Sequence, residues 1–182
     1  MPANRLTATH RNQTARALLV RFALTFLGLV LLFSTLVQVD LLVFDGAVGG
    51  VVSNLSARLA AASLALLGAD VARVDNTISY RSAAFQIVSD CTGVEVIGLF
   101  VAAVLAFPSG PRRKVSGLIL GIPVLLVVNL VRMVTLIDIG ARYPETLEYG
   151  HLYLWPVIIL AVALAMWLSW ARSADRDRHL LA

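Results

Sequence analysis

Four apolar stretches dominate the chain, and each approaches the roughly 20 residues that a helix needs to cross a hydrocarbon core about 30 Å thick. The first, 22–39 (FALTFLGLVLLFSTLVQV), has no charge. The second, VEVIGLFVAAVLAFP from Val94, carries Glu95 and reaches spanning length if it begins around Cys91. The third, 115–139, encloses Asn129 and Arg132, and the fourth, 151–170, reads HLYLWPVIILAVALAMWLSW. The segment 46–69 is also apolar, but Asn54 and Arg58 sit one turn apart, with Leu55, Leu59, Ala62 and Leu66 on another face. That pattern predicts an amphipathic helix lying on the membrane surface. Between 70 and 90 the period falls to two, with Ile78 and Tyr80, then Phe85 and Ile87, after an Asp75-Asn76 turn signal, which predicts a small β element.

Basic residues fix the orientation, because positively charged loops stay on the cytoplasmic side. Arg5, Arg11, Arg16 and Arg21 precede the first stretch; Arg112, Arg113 and Lys114 lie between the second and third; Arg172, Arg176 and Arg178 follow the fourth. The expectation is an all-α integral membrane protein with about four transmembrane helices, both termini cytoplasmic, and an outer-face amphipathic helix with a short β element. A crossing by 46–69 would carry 112–114 to the outside, against the same rule. Basic residues, an apolar run and Ala47-Val48-Gly49 mimic a signal peptide. The basic region is too long and the apolar run exceeds the usual 7–15 residues, so a retained anchor is expected.

Composition agrees: 59% of the 182 residues are hydrophobic, 14% are charged and the mean hydropathy is +0.83. A soluble domain carries about 25% charged residues. The net charge of +4 would suggest nucleic acid in a soluble protein; here the basic residues flank apolar runs, so orientation is the better reading and no nucleic-acid partner is expected. One cysteine excludes an internal disulfide framework and any multi-cysteine metal site, and neither metal nor cofactor is expected.

Ionisable groups inside a membrane are expensive and mark function by default. In this topology Cys91 opens the second span at its outer end and His151 opens the fourth. Arg132 lies seven residues before the outer end of the third, about 10 Å at 1.5 Å per residue. Three spans thus bring a thiol, an imidazole and a guanidinium to one face, which suits a nucleophile, its base and a charge stabiliser. A helix N-terminus at Cys91 would favour thiolate further. Blander readings stand beside these: Cys91 as a small buried hydrophobe, His151 as an interface anchor, and Arg132 in an ion pair with Glu95 or Asp138. Asn129 shares the face of Arg132 and offers a second donor or a buttress. Glu95 projects from the side of Cys91, Gly93 gives a substrate backbone room near the thiol, and Ser89 and Asp90 read as an N-cap. Tyr153, Trp155 and Trp170 read as interfacial anchors.

DCTGVEVIGLFVAAVLAFP, then NLVRMVTLI, then HLYLWPVIIL, taken together, resemble the exosortase/archaeosortase family of membrane protein-sorting enzymes, with wording similar to the small exosortase H branch. The likeness covers about residues 85–160. It implies a cysteine protease or transpeptidase-like enzyme of the bacterial inner membrane, acting at the outer, periplasmic face. Cys91 would be the nucleophile, His151 the acid/base and Arg132 the charge stabiliser, with Asn129, Glu95 and Gly93 in support. It also implies partners: secreted substrates ending in a short motif (of the IPTLxxWG kind), an apolar helix and a basic end, and an acceptor nucleophile of unknown identity. The corresponding division is an N-terminal anchor over 1–40, an outer-face segment over 41–90 and a catalytic core over 91–182. A binding or transport protein using Arg132 and Glu95, or an assembly subunit, remains the alternative from the residues alone.

Overall fold

Backbone N–H and C=O groups find no partners in hydrocarbon, so long apolar runs satisfy them internally as helices. The computed structural model describes residues 3–44 and 46–180, with side chains over 16–44 and 46–174; the side chains of Arg5, Arg11, Arg176 and Arg178 lie outside the described residues. In chain order come α1 (Ala3–Val43), α2 (Ala47–Leu66), strands β1 (Val71–Val74), β2 (Thr77–Tyr80) and β3 (Ala83–Gln86), and a 3-10 turn (Ser89–Cys91). Then follow α3 (Val94–Ala106), α4 (Pro111–Arg142), α5 (Pro144–Tyr149), a π-helical turn (Gly150–Leu154) and α6 (Trp155–Leu180). The molecule is a mostly helical membrane protein with one small sheet, as the apolar pattern predicts.

Four helical stretches among the described residues are long and apolar enough to cross a membrane: 16–43, 47–66, 111–142, and 144–174, which joins α5, the π turn and α6. The count agrees with the sequence expectation and the membership differs. α3 has only 13 residues, about 20 Å of rise. It cannot begin at Cys91 because Gly93 adopts a left-handed conformation (φ 73°), and it stops at Phe107, held extended before Pro108.

Close approach holds α4 to α3 and to α6. A Cβ on Gly121 would lie 2.2 Å from the Phe100 ring, and one on Gly117 2.6 Å from Trp170 Nε1, so these positions admit no side chain without displacement. Phe100, Val104, Leu125 and Ala163 form the core there. The Phe107 ring meets Trp167 and Trp170 edge-on at 6.0 and 5.5 Å, and Trp170 Nε1 donates to the Arg113 carbonyl at 3.1 Å. Trp170 is therefore packed into the bundle, beyond the anchoring expected of it.

A second core joins α2 to the far end of α4. Ala57, Ala60, Ala61 and Leu64 cluster with Ile78, Tyr80, Ile87, Met133 and Ile137, the last two from the final third of α4. At 1.5 Å per residue the 32 residues of α4 run about 48 Å, well beyond the hydrocarbon thickness. α2 thus packs only where α4 has run past α3. Its small residues face the protein, while Leu55, Leu59 and Leu66 point outward at 54, 51 and 87% exposure. The Asp40 carboxylate, at the end of α1, accepts hydrogen bonds from the N–H groups of Val48 and Gly49 at 3.1 and 3.0 Å, capping α2.

The sheet is an antiparallel meander, β1-β2-β3, with Val71 opposite Tyr80 and Ile78 opposite Phe85. Ile78 and Tyr80 point to the core and Ser79 outward, as period two requires. β1, which the sequence reading missed, has Arg73 where a second inward apolar residue would have marked it.

Candidate active site

The thiol sits on a turn pinned from three directions. Upstream, Ile87 N–H donates to Asn76 O (2.8 Å) and Asn76 Nδ2 donates to Ile87 O (3.0 Å), tying the exit of β3 to the first hairpin turn. Within the turn, Cys91 N–H donates to Val88 O at 2.9 Å, and Thr92 gives its N–H and hydroxyl to Ser89 O at 3.0 and 2.6 Å. From α4, Asn129 Nδ2 donates to Cys91 O at 3.0 Å. Cys91 therefore does not begin a helix, and Ser89 and Asp90 do not cap α3. The cap is Gly93, with no side-chain hydrogen bond, because the 3-10 turn intervenes. Gly93 opens no room for a substrate either. A Cβ there would lie 2.7 Å from Asn129 Cγ, so the space belongs to Asn129.

Arg132 lies one turn along α4 from Asn129, on the same buried face, and is 6% exposed. Its Nε is buried without a hydrogen-bond partner. Neither of the ion pairs weighed from the sequence forms. Asp138 accepts instead from Tyr80 Oη at 3.1 Å and Arg142 Nε at 3.0 Å. Glu95 faces outward from α3 and does not line the cavity that Arg132 lines. The side of the helix inferred for Glu95 assumed that helical spacing ran back to Cys91, and the break at Gly93 removes that assumption.

His151 is partly buried in the π turn. The turn closes with Trp155 N–H on Gly150 O, five residues back, just before Pro156 removes a donor from the ladder. One extra residue per turn re-aims the side chains of that stretch, and π turns are frequent at functional sites. Tyr153 is exposed and pairs with Tyr149 (ring centroids 6.2 Å), which suits an interfacial position.

Cys91, Arg132 and His151 line one cavity of about 520 Å³, walled by β3, α4, α5 and the π turn. Two further polar residues line it that the sequence reading passed over, Gln86 at the end of β3 and Glu148 on α5. The spacing of Glu148, three before His151, was the signal that could have found it. Asn129, Gly93 and Glu95 are outside the lining, and Asn129 reaches the site only through the Cys91 backbone. Among the described residues no three His, Cys, Asp or Glu side chains gather as a metal site would require.

Such an arrangement defines a multi-pass membrane protein with a thiol, an imidazole and an unpaired guanidinium lining one cavity at one end of its bundle. Residues 10–167 match the family described as Transmembrane exosortase (Exosortase_EpsH), and the chain belongs to that family. Membership carries a membrane protein-sorting, transpeptidase-like role in general terms. No curated protein and no solved structure matches the chain.

Proposed function

We propose that this protein is a membrane-embedded cysteine peptidase or transpeptidase that cleaves C-terminal sorting tails of secreted proteins at the outer face of the bacterial inner membrane. One observation carries the reading: Cys91, Arg132 and His151, from three separate elements, line the same cavity. The Cys91 proton passes to His151, and the thiolate attacks the scissile carbonyl to form the C–S bond. Collapse of the tetrahedral intermediate breaks the C–N bond, with His151 returning the proton to the leaving amine. An acceptor nucleophile, water or another group, then gives its proton to His151, attacks the thioester carbonyl and releases the thiol.

The oxyanion in both steps needs donors, and the N–H of Cys91 itself is spent on Val88 O. Arg132 brings a permanent charge with an unpaired Nε, which supports its role as the oxyanion donor. A sorting tail with an apolar helix and a basic end inserts by the rules that orient this chain, putting its scissile bond at the level of the cavity. The rival transport reading needs Arg132 and Glu95 along one path, and the outward position of Glu95 counts against it.

The test is co-expression with a secreted reporter bearing a C-terminal motif, an apolar helix and a basic end, with wild type compared to Cys91→Ala. The expected result is a smaller reporter that requires the thiol. Equal processing by Cys91→Ala at equal membrane levels refutes the mechanism.

A further inference from the structure

Asn129 is 2% exposed and lies outside the cavity, yet its carboxamide donates to the carbonyl of the cavity's thiol residue at 3.0 Å. The fit is built from both sides. Gly93 occupies a left-handed conformation that ordinary side chains rarely adopt, and a Cβ at that position would lie 2.7 and 2.8 Å from Asn129 Cγ and Oδ1. Asn129 and Arg132 belong to one helix at spacing three, so about 4.5 Å of rigid α4 separates the group that grips the Cys91 backbone from the proposed oxyanion donor.

We propose that Asn129 and Gly93 form a lock that sets the Cys91 turn at fixed height against Arg132, making Asn129 a positioning residue for the thiol chemistry. The proposal rests on the reading of Cys91 as nucleophile. The reason for a lock is geometric. Cys91 stands on a three-residue turn between a sheet and a helix, and the Asn129 bond ties the backbone of that turn directly to α4. A nucleophile displaced by about 1 Å from its carbonyl can lose about a hundredfold in rate. A bond serving only to hold α3 against α4 would act on stability and leave the thiol unaffected.

Cys91 is the only cysteine, so alkylation reports on it alone. Asn129→Leu and Gly93→Ala are compared with wild type in membranes, with Thr35→Val on α1 as the control, since the Thr35 hydroxyl bonds only within its own helix. Membrane levels and the rate of Cys91 reaction with a small maleimide are measured first, because they need no substrate. Both lock variants are expected to insert at wild-type levels and to alkylate severalfold faster, the half-buried thiol being released with its turn; the control stays at the wild-type rate. Reporter processing then falls about tenfold or more in kcat with KM little changed. The double variant loses no more than the worse single one, because both substitutions break one contact. Wild-type alkylation rates in both variants overturn the lock, as does a purely KM effect. Absence of processing by the wild type while the alkylation difference stands would instead remove the proposed function and leave the lock.

Discussion

Replacing Arg132 by methionine separates a catalytic charge from a structural one, because the two roles predict opposite signs for stability. Arg132 is 6% exposed, its Nε is unpartnered, Asp138 is engaged by Tyr80 and Arg142, and Glu95 faces elsewhere. A guanidinium at the centre of a membrane helix costs about 2.5–3.5 kcal/mol on the insertion scale. The cavity it lines offsets part of that, so Arg132→Met, similar in length and free of charge, should stabilise the fold by about 1–2 kcal/mol. Breaking a buried ion pair would instead destabilise by about 3–5 kcal/mol. Activity moves the other way, since loss of an oxyanion donor costs about 10²- to 10³-fold in kcat. The assay pairs equilibrium unfolding in detergent or bicelles with reporter processing on the same preparations. A variant that is both less stable and slower would mean that Arg132 holds the structure together, and the reasoning from its missing partners would be wrong.

Glu95→Gln should process within about twofold of wild type, because an exposed carboxylate outside the cavity contributes little; a large loss would revive the transport reading. Gly121→Val should destabilise by about 1–3 kcal/mol through the Phe100 ring, and adding Phe100→Ala should recover part of the loss; fully additive losses in unfolding would show that the contact is not the cause. In a Cys91→Ala background, Asn76→Cys should react with an impermeant maleimide on intact cells, whereas Arg112→Cys should react only after permeabilisation. The reverse labelling would invert the topology and put the cavity on the cytoplasmic side.

How much was legible depends on the range of the physics involved. Local periodicity and composition are legible directly from the chain. Uncharged runs long enough to cross a bilayer must be helical, and alternation at Ile78-Tyr80 and Phe85-Ile87 marks strands, whatever else the chain does. The argument that Cys91, Arg132 and His151 share one level came from the same local signals, and the structure brings those three to one cavity although the second span does not start at Cys91. Three-dimensional contacts decided the rest. A left-handed Gly93 cut α3 away from Cys91, so helical spacing could not carry Glu95 to the thiol's side. The sequence sets Leu55, Leu59 and Leu66 on an apolar face of α2, and they do point outward, but only the tertiary contact decided that Ala57, Ala60, Ala61 and Leu64 would pack into the core with α4 and the sheet. Asp138 stands one turn from Arg142 and six residues from Arg132 on α4, so helical spacing favours the pair it makes with Arg142; its other partner, Tyr80, lies 58 residues away, a contact that no window of sequence contains. The Asn129 bond to Cys91 likewise spans 38 residues. Hydrophobic period is set one turn at a time and can be read from the chain. The partner of a buried polar group is set by which helices lie side by side, and only the folded bundle fixes that.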